Sequence, residues 1–125
     1  MKDQPTFSIP GELPDLNTYI NTERGNKYAA AAMKADATAL VCQMAQYRRV
    51  QKVHQPVVIE IHWLCRDKKK DPDNIAFAKK FIMDGLVLAG ILEGDGWKNV
   101  LSFTDKFEVS KEPRIDVYIY LEKYL

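Results

Sequence analysis

The sequence predicts a small α+β domain in which a mixed sheet of about four strands carries two helices on one face, in the order β-α-β-α-β-β. Three observations predict it. Segments 57–64, 101–109 and 115–121 alternate apolar and polar residues with the period of a strand. Residues 27–51 lack Pro and Gly and are rich in Ala, Met, Leu, Lys and Gln, as a helix requires. Ile75, Ala78, Ile82, Leu86 and Ala89 then recur at helical spacing. A chain of 125 residues can bury a real core yet is short for two ordinary domains, so residues 1–125 read as one unit.

In chain order, Thr6 to Ile9 is a short strand ended by Pro10-Gly11, and Leu13 to Asn26 reads as a long loop. On the first helix Met33, Ala37, Leu40, Met44 and Tyr47 form an apolar seam at spacings of 4, 3, 4 and 3, expected to face the core. After Pro56, Val57, Ile59, Ile61 and Trp63 share the apolar face of a strand. The lysine-rich loop 65–70 leads into the second helix, which Gly90 stops. Leu101, Phe103, Phe107 and Val109 alternate with Ser102, Thr104, Lys106, Glu108 and Ser110. Ile115, Val117, Ile119 and Leu121 do the same beyond Glu112-Pro113, which predicts a hairpin.

The net charge of +1 hides an uneven distribution. Residues 24–80 hold 12 Lys/Arg against 5 Asp/Glu, a surplus of +7, while the segments on either side each carry −3. A basic middle suits a polyanionic partner and equally suits solvated helix faces. The longest uncharged run, Ala37 to Tyr47, has 11 residues, too few for a membrane span. With no secretory pattern over residues 1–20, a cytoplasmic protein without a membrane partner is expected. Cys42 and Cys65 form no CxxC and read as buried thiols.

Between Lys68 and Asp95 lies the densest chemistry. Asp71-Pro72-Asp73-Asn74 opens the second helix, where Asp and Asn also serve as caps and Pro favours the first turn, so capping competes with catalysis. On one continuous helix Lys80 falls about −20° and Asp84 about +20° from Asp73, a single stripe pointing toward Gly94-Asp95-Gly96. Carboxylates converging near a lysine suit hydrolysis of a phosphodiester assisted by a hard cation, because Mg²⁺ takes oxygen ligands and a lysine offsets transition-state charge.

Taken together, Asp71-Pro72-Asp73-Asn74, Lys80-Phe81-Ile82-Met83-Asp84-Gly85-Leu86, Gly90-Ile91 and Gly94-Asp95 resemble the RusA-type Holliday junction resolvases, the crossover junction endodeoxyribonucleases common in phages and prophages. The likeness spans roughly residues 7–120 and includes Pro14, Asn17 and Tyr19, similar to the family's N-terminal loop, and Lys27-Tyr28 at the first helix. It implies a homodimeric endonuclease, dependent on Mg²⁺ with Mn²⁺ as substitute, that nicks four-way DNA junctions symmetrically in recombination and repair. By resemblance Asp71, Asp73 and Asp95 are the metal-binding catalytic carboxylates, Lys80 is the catalytic lysine, and Asp84 is its i, i+4 partner. Two departures stand out. The lysine lies seven residues after Asp73, where shorter members have it four after, as though residues 77–79 were inserted, which makes Lys79 the alternative to Lys80. Gly94 replaces an expected second aspartate.

A two-fold junction cut by a chain with one acidic cluster calls for a C₂ dimer, through either the seam on the first helix or the last two strands. Arg24, Lys27, Lys34, Lys68, Lys69 and Lys70 are the candidate phosphate contacts, with Asn17 and Tyr19 able to donate to phosphate oxygens or stack at the junction centre. His54 and His62 suggest no nucleophilic triad, and His62 reads as structural. Trp63 reads as a packing residue, and Trp97 lies beside Asp95. Two other functions suit the same residues: a nuclease preferring flaps or forks, and a junction-binding protein whose acids only cap helices.

Overall fold

The alternation of Val57, Ile59, Ile61 and Trp63 builds a strand so apolar that it can only be central. A computed structural model describes residues 4–122, and places that strand, β2 (Val57–Cys65), in the middle of a four-stranded sheet ordered β1-β4-β2-β3. β1 is Phe7–Pro10, β3 is Val100–Val109 and β4 is Arg114–Leu121. β4 runs antiparallel to both β1 and β2, whereas β3 runs parallel to β2 on its other side. The architecture is the expected α+β arrangement on a mixed sheet.

Four helical segments replace the expected two: α1 (Leu16–Gly25), α2 (Lys27–Tyr47), α3 (Pro72–Ala76) and α4 (Lys79–Leu88). α1 occupies what reads as loop in the sequence. Its Asn and Thr residues weaken an isolated helix, and none of its residues is fully buried. Its cap makes up part of the difference. Asp15, 5% exposed, accepts from the Thr18 amide at 3.3 Å and from its hydroxyl at 2.6 Å. Burial would push the Asp15 carboxyl up, but hydrogen bonds from Thr18, Lys70 and Asn74 hold it well below the usual carboxylate range. Asn26 caps α2 in the same way, accepting from the amides of Tyr28 and Ala29 at 2.9 and 3.1 Å.

α2 stops at Tyr47, short of residue 51, because Arg49 turns to φ +54° and directs Val50 and Val53 back onto the core. Its buried residues are Ala30, Ala37, Val41, Cys42 and Ala45, which keep only Ala37 of the expected seam. Leu40 and Met44 pack only partly, and Tyr47 is 78% exposed, so the seam is displaced by about one residue around the helix. The displacement follows from α4, which packs small against small: a Cβ on Gly85 would lie 2.5 Å from Val41 Cβ.

The second expected helix is broken. α3 ends at Ala76 and α4 begins at Lys79, with Lys80 and Phe81 donating to the carbonyls three residues back, Phe77 and Ala78. Burial of Ala78 and packing of the Phe77 ring between Tyr19 and Phe81 (centroids 5.6 and 5.7 Å) turn the chain there. The break therefore falls at Phe77 and Ala78, between the two helices.

The expected hairpin of the last two strands does not form, because β2 lies between β3 and β4. The crossover through α3 and α4 returns the chain to the edge where β2 began, which makes β3 parallel to β2. Residues 110–113 then step across β2: two strand spacings are about 10 Å, and four extended residues reach about 13 Å. The core between sheet and helices contains Phe7, Ile9, Val41, Ile59, Ile61, Trp63, Phe81, Ile82 and Leu86. Cys42 and Cys65 are buried free thiols, as expected, and burial first, then the charges of Glu12 and Asp67, push the Cys65 thiol up. Among the described residues no helix is long and apolar enough to cross a membrane.

Candidate active site

The loop after β2 delivers Asp71 to the start of α3. It takes the cap position there, yet its carboxylate makes no cap hydrogen bond, unlike Asp15 before α1 and Asn26 before α2. Asp73 sits in the first turn and accepts from the Asn74 amide at 2.9 Å. Both aspartates are exposed, and neither forms an ion pair among the described residues. Asn74 connects this segment to the N-terminal loop, since its Oδ1 accepts from the Asn17 amide at 2.9 Å. The two motif pieces far apart in sequence, around Asn17 and around Asp73, therefore meet.

The break between α3 and α4 separates the expected stripe into two parts. Lys80 and Asp84 remain together within α4, with Nζ 3.2 Å from Asp84 Oδ1, and Asp95 Oδ2 approaches the same ammonium at 3.7 Å. Asp73 joins neither, because the wheel that aligned it assumed one continuous helix. The hydrogen bond with Asp84, and the charges of Asp84 and Asp95, push the Lys80 ammonium above its ordinary range. Lys80 is thereby fixed as a cation, fit to stabilise negative charge and unfit to act as a base.

Lys79 has a different task. Its Nζ lies 2.6 Å from Asp105 Oδ2 and 4.6 Å from the Phe103 ring centroid, while Trp63 Nε1 donates to Asp105 Oδ1 at 2.9 Å. This half-buried set fastens α4 to β2 and β3. Asp105 is the residue sequence reasoning missed. The signal was available: an acid at an apolar-face position of a strand needs a partner once the strand is covered. The two lysines are separable by experiment. On the nuclease expectation from the sequence, Lys80→Ala would lower the turnover of junction DNA more than its binding, and it is expected to leave the thermal midpoint nearly unchanged. Lys79→Ala is expected to cost about 1–3 kcal/mol of stability by stranding Asp105; cleavage kinetics beside thermal unfolding separate the two roles, and the reverse pattern would exchange them.

Of the expected phosphate contacts, Arg24, Lys27, Lys34, Lys68 and Lys69 are exposed, whereas Lys70 reaches Asp15 Oδ1 at 3.1 Å. The Tyr19 ring packs on Phe77 and Phe81 (5.6 and 6.4 Å), which anchors α1 to the helical break. A cleft of about 270 Å³ opens beside α3, with Trp63 and Ile75 in its wall and Arg66, Lys69 and Lys70 among its polar residues. His62 bonds Glu60 at 2.5 Å on the sheet face opposite the core. Trp63 is a core residue, as expected, and Trp97 is 98% exposed.

As a metal site the acids fit by chemistry and only in part by arrangement. Mg²⁺ draws on one or two carboxylates and keeps several waters, a demand that Asp71 and Asp73, free of ion pairs, can meet. Asp95 is engaged with Lys80, and among the described residues no three His, Cys, Asp or Glu side chains form a group that could hold an ion. No protein-family model matches the chain, and no curated protein matches it in sequence.

Proposed function

We propose that this protein is a Mg²⁺-dependent endonuclease of the RusA type that acts in the cytoplasm on four-way DNA junctions, as a homodimer making symmetric nicks in recombination and repair. The observation that carries the reading is the state of Asp71. A carboxylate in a cap position that makes no cap bond, and no ion pair among the described residues, is open to a ligand. Asp73 shares its exposure, and the Lys80–Asp84–Asp95 cluster supplies a fixed cation on the following helix. Bound Mg²⁺, or Mn²⁺ in its place, supplies Lewis-acid neutralisation of the phosphate and an activated water. The chain's own residues do the rest. Asp71 and Asp73 hold the ion, Lys80 stabilises charge building on the phosphorus oxygens, Asp84 and Asp95 orient Lys80, and the exposed lysines and arginines of α1, α2 and the 65–70 loop bind the DNA backbone.

The deciding experiment incubates labelled four-way junction, flap and linear duplex with Mg²⁺ or with chelator. Paired symmetric nicks on the junction that vanish with chelator are expected. A preference for flaps would replace the substrate while keeping the chemistry. Tight junction binding without cleavage would make the protein a binder of junction DNA.

A further inference from the structure

β3 is an edge strand of ten residues with no neighbour on its outer side among the described residues. The Ser110 amide donates to the Cys65 carbonyl, so the even-numbered residues of β3 turn their backbone groups toward β2. Phe103, Asp105, Phe107 and Val109 therefore direct their N–H and C=O groups outward, a row of unpaired donors and acceptors ready to template another strand. The apolar side chains along that row are incompletely covered, with Phe103 42%, Phe107 38% and Val109 47% exposed. Asp105, on the same face, does not spoil it, because Lys79 and Trp63 already neutralise and hold it.

We infer that β3 pairs antiparallel with β3 of a second copy of this chain about a two-fold axis at Phe107, continuing the sheet across a C₂ dimer. The charges choose the occupant and the register. Outward backbone groups belong to odd residues, so only even-sum registers are possible. An axis at Asp105 sets that acid against its copy, an axis at Lys106 does the same with two lysines, and an axis at Glu108 opposes two glutamates. An axis at Phe107 sets Lys106 directly opposite Glu108 of the copy, twice, on the face away from the helices. On the helix face it brings the two Phe107 rings together, each already stacked on its own Trp63 at 6.5 Å. Within the bounds of β3 no other register opposes unlike charges. The self-complementary row is what an isologous interface demands.

The inference rests on the dimer in the proposed function and on nothing else in it, so its test reads association without DNA. Sedimentation of the wild-type chain at low ionic strength is expected to show a dimer. E108K places like charges in contact and is expected to raise the dimer Kd by about tenfold to thirtyfold, K106E to do likewise, and the double variant K106E/E108K to restore it. Mixing the two single variants should yield a heterodimer, in which one ion pair is that of the wild type and the other reforms with reversed sign. Lys106 also reaches Glu60 at 3.8 Å, so if K106E fails to fold, E108K decides alone. A wild-type chain that stays monomeric at about 100 μM overturns both the pairing and the dimer. A dimer that E108K leaves within about twofold overturns only the pairing, and junction cleavage by that dimer would leave the proposed function intact.

Discussion

Asp73→Asn is expected to abolish junction cleavage, by roughly 10²–10³-fold or more, and Asp71→Asn to do the same, while junction binding holds or tightens. The direction follows from charge. Removing a carboxylate beside a scissile phosphate removes both a metal ligand and a repulsion. Stability cannot confuse the outcome, because both acids are exposed and free of ion pairs, and surface changes of this kind usually fall within about 0.5 kcal/mol. Single-turnover cleavage alongside binding to junction DNA in chelator provides the check. Unchanged cleavage in both variants would remove these residues from the metal site.

Gly85→Ala is the variant with the largest expected effect on folding. Alanine is the better helix former by about 1 kcal/mol, so propensity alone forecasts a gain. The contact between helices reverses the sign. The new methyl would lie 2.5 Å from both Cβ and Cγ1 of Val41 and 3.0 Å from the Thr38 carbonyl oxygen, and the Cβ and the carbonyl are fixed by the α2 backbone and cannot swing away. Separating α2 from α4 then loosens Phe81, Ile82 and Leu86 against the sheet, at a net cost of about 1–3 kcal/mol. Denaturant unfolding measures it, and a stability equal to or above wild type would show that the helices part freely.

The strands were legible in the sequence because apolar and polar residues alternate along them, and the alternation at Val57 to Trp63 leaves little choice of register. α2 was legible as a helix, but its buried face was not. The expected seam holds the large side chains Met33, Leu40, Met44 and Tyr47 beside Ala37, whereas the helix buries Ala37, Val41 and Ala45, with Val41 against Gly85 of α4. α1 escaped because its stability comes from the Asp15 cap and the Tyr19 contact with Phe77, neither of which leaves a periodic pattern. The hairpin was expected because adjacent strands usually pair, and only the crossover from β2 through two helices decides that they do not here.

Among the site residues, Lys80, Asp84 and Asp95 meet across the end of α4, and the i, i+4 spacing of the first two was visible in advance. The separation of Lys79 from Lys80 was not. It depends on the break at Phe77 and Ala78, and on an acid in β3 that no local reading assigns to the helix.

The place of β4 between β1 and β2 has a consequence for synthesis. Ser8 hydrogen-bonds Asp116 across 108 residues of chain, and among the described residues β1 pairs with β4 alone. On a ribosome, β1 and one edge of β2 must therefore wait, their backbone groups unsatisfied, until residues 114–121 have emerged. So many distant pairings place the chain toward the slow end for mixed domains. Its exposure to aggregation is greatest in the interval when everything but the closing strand has been made.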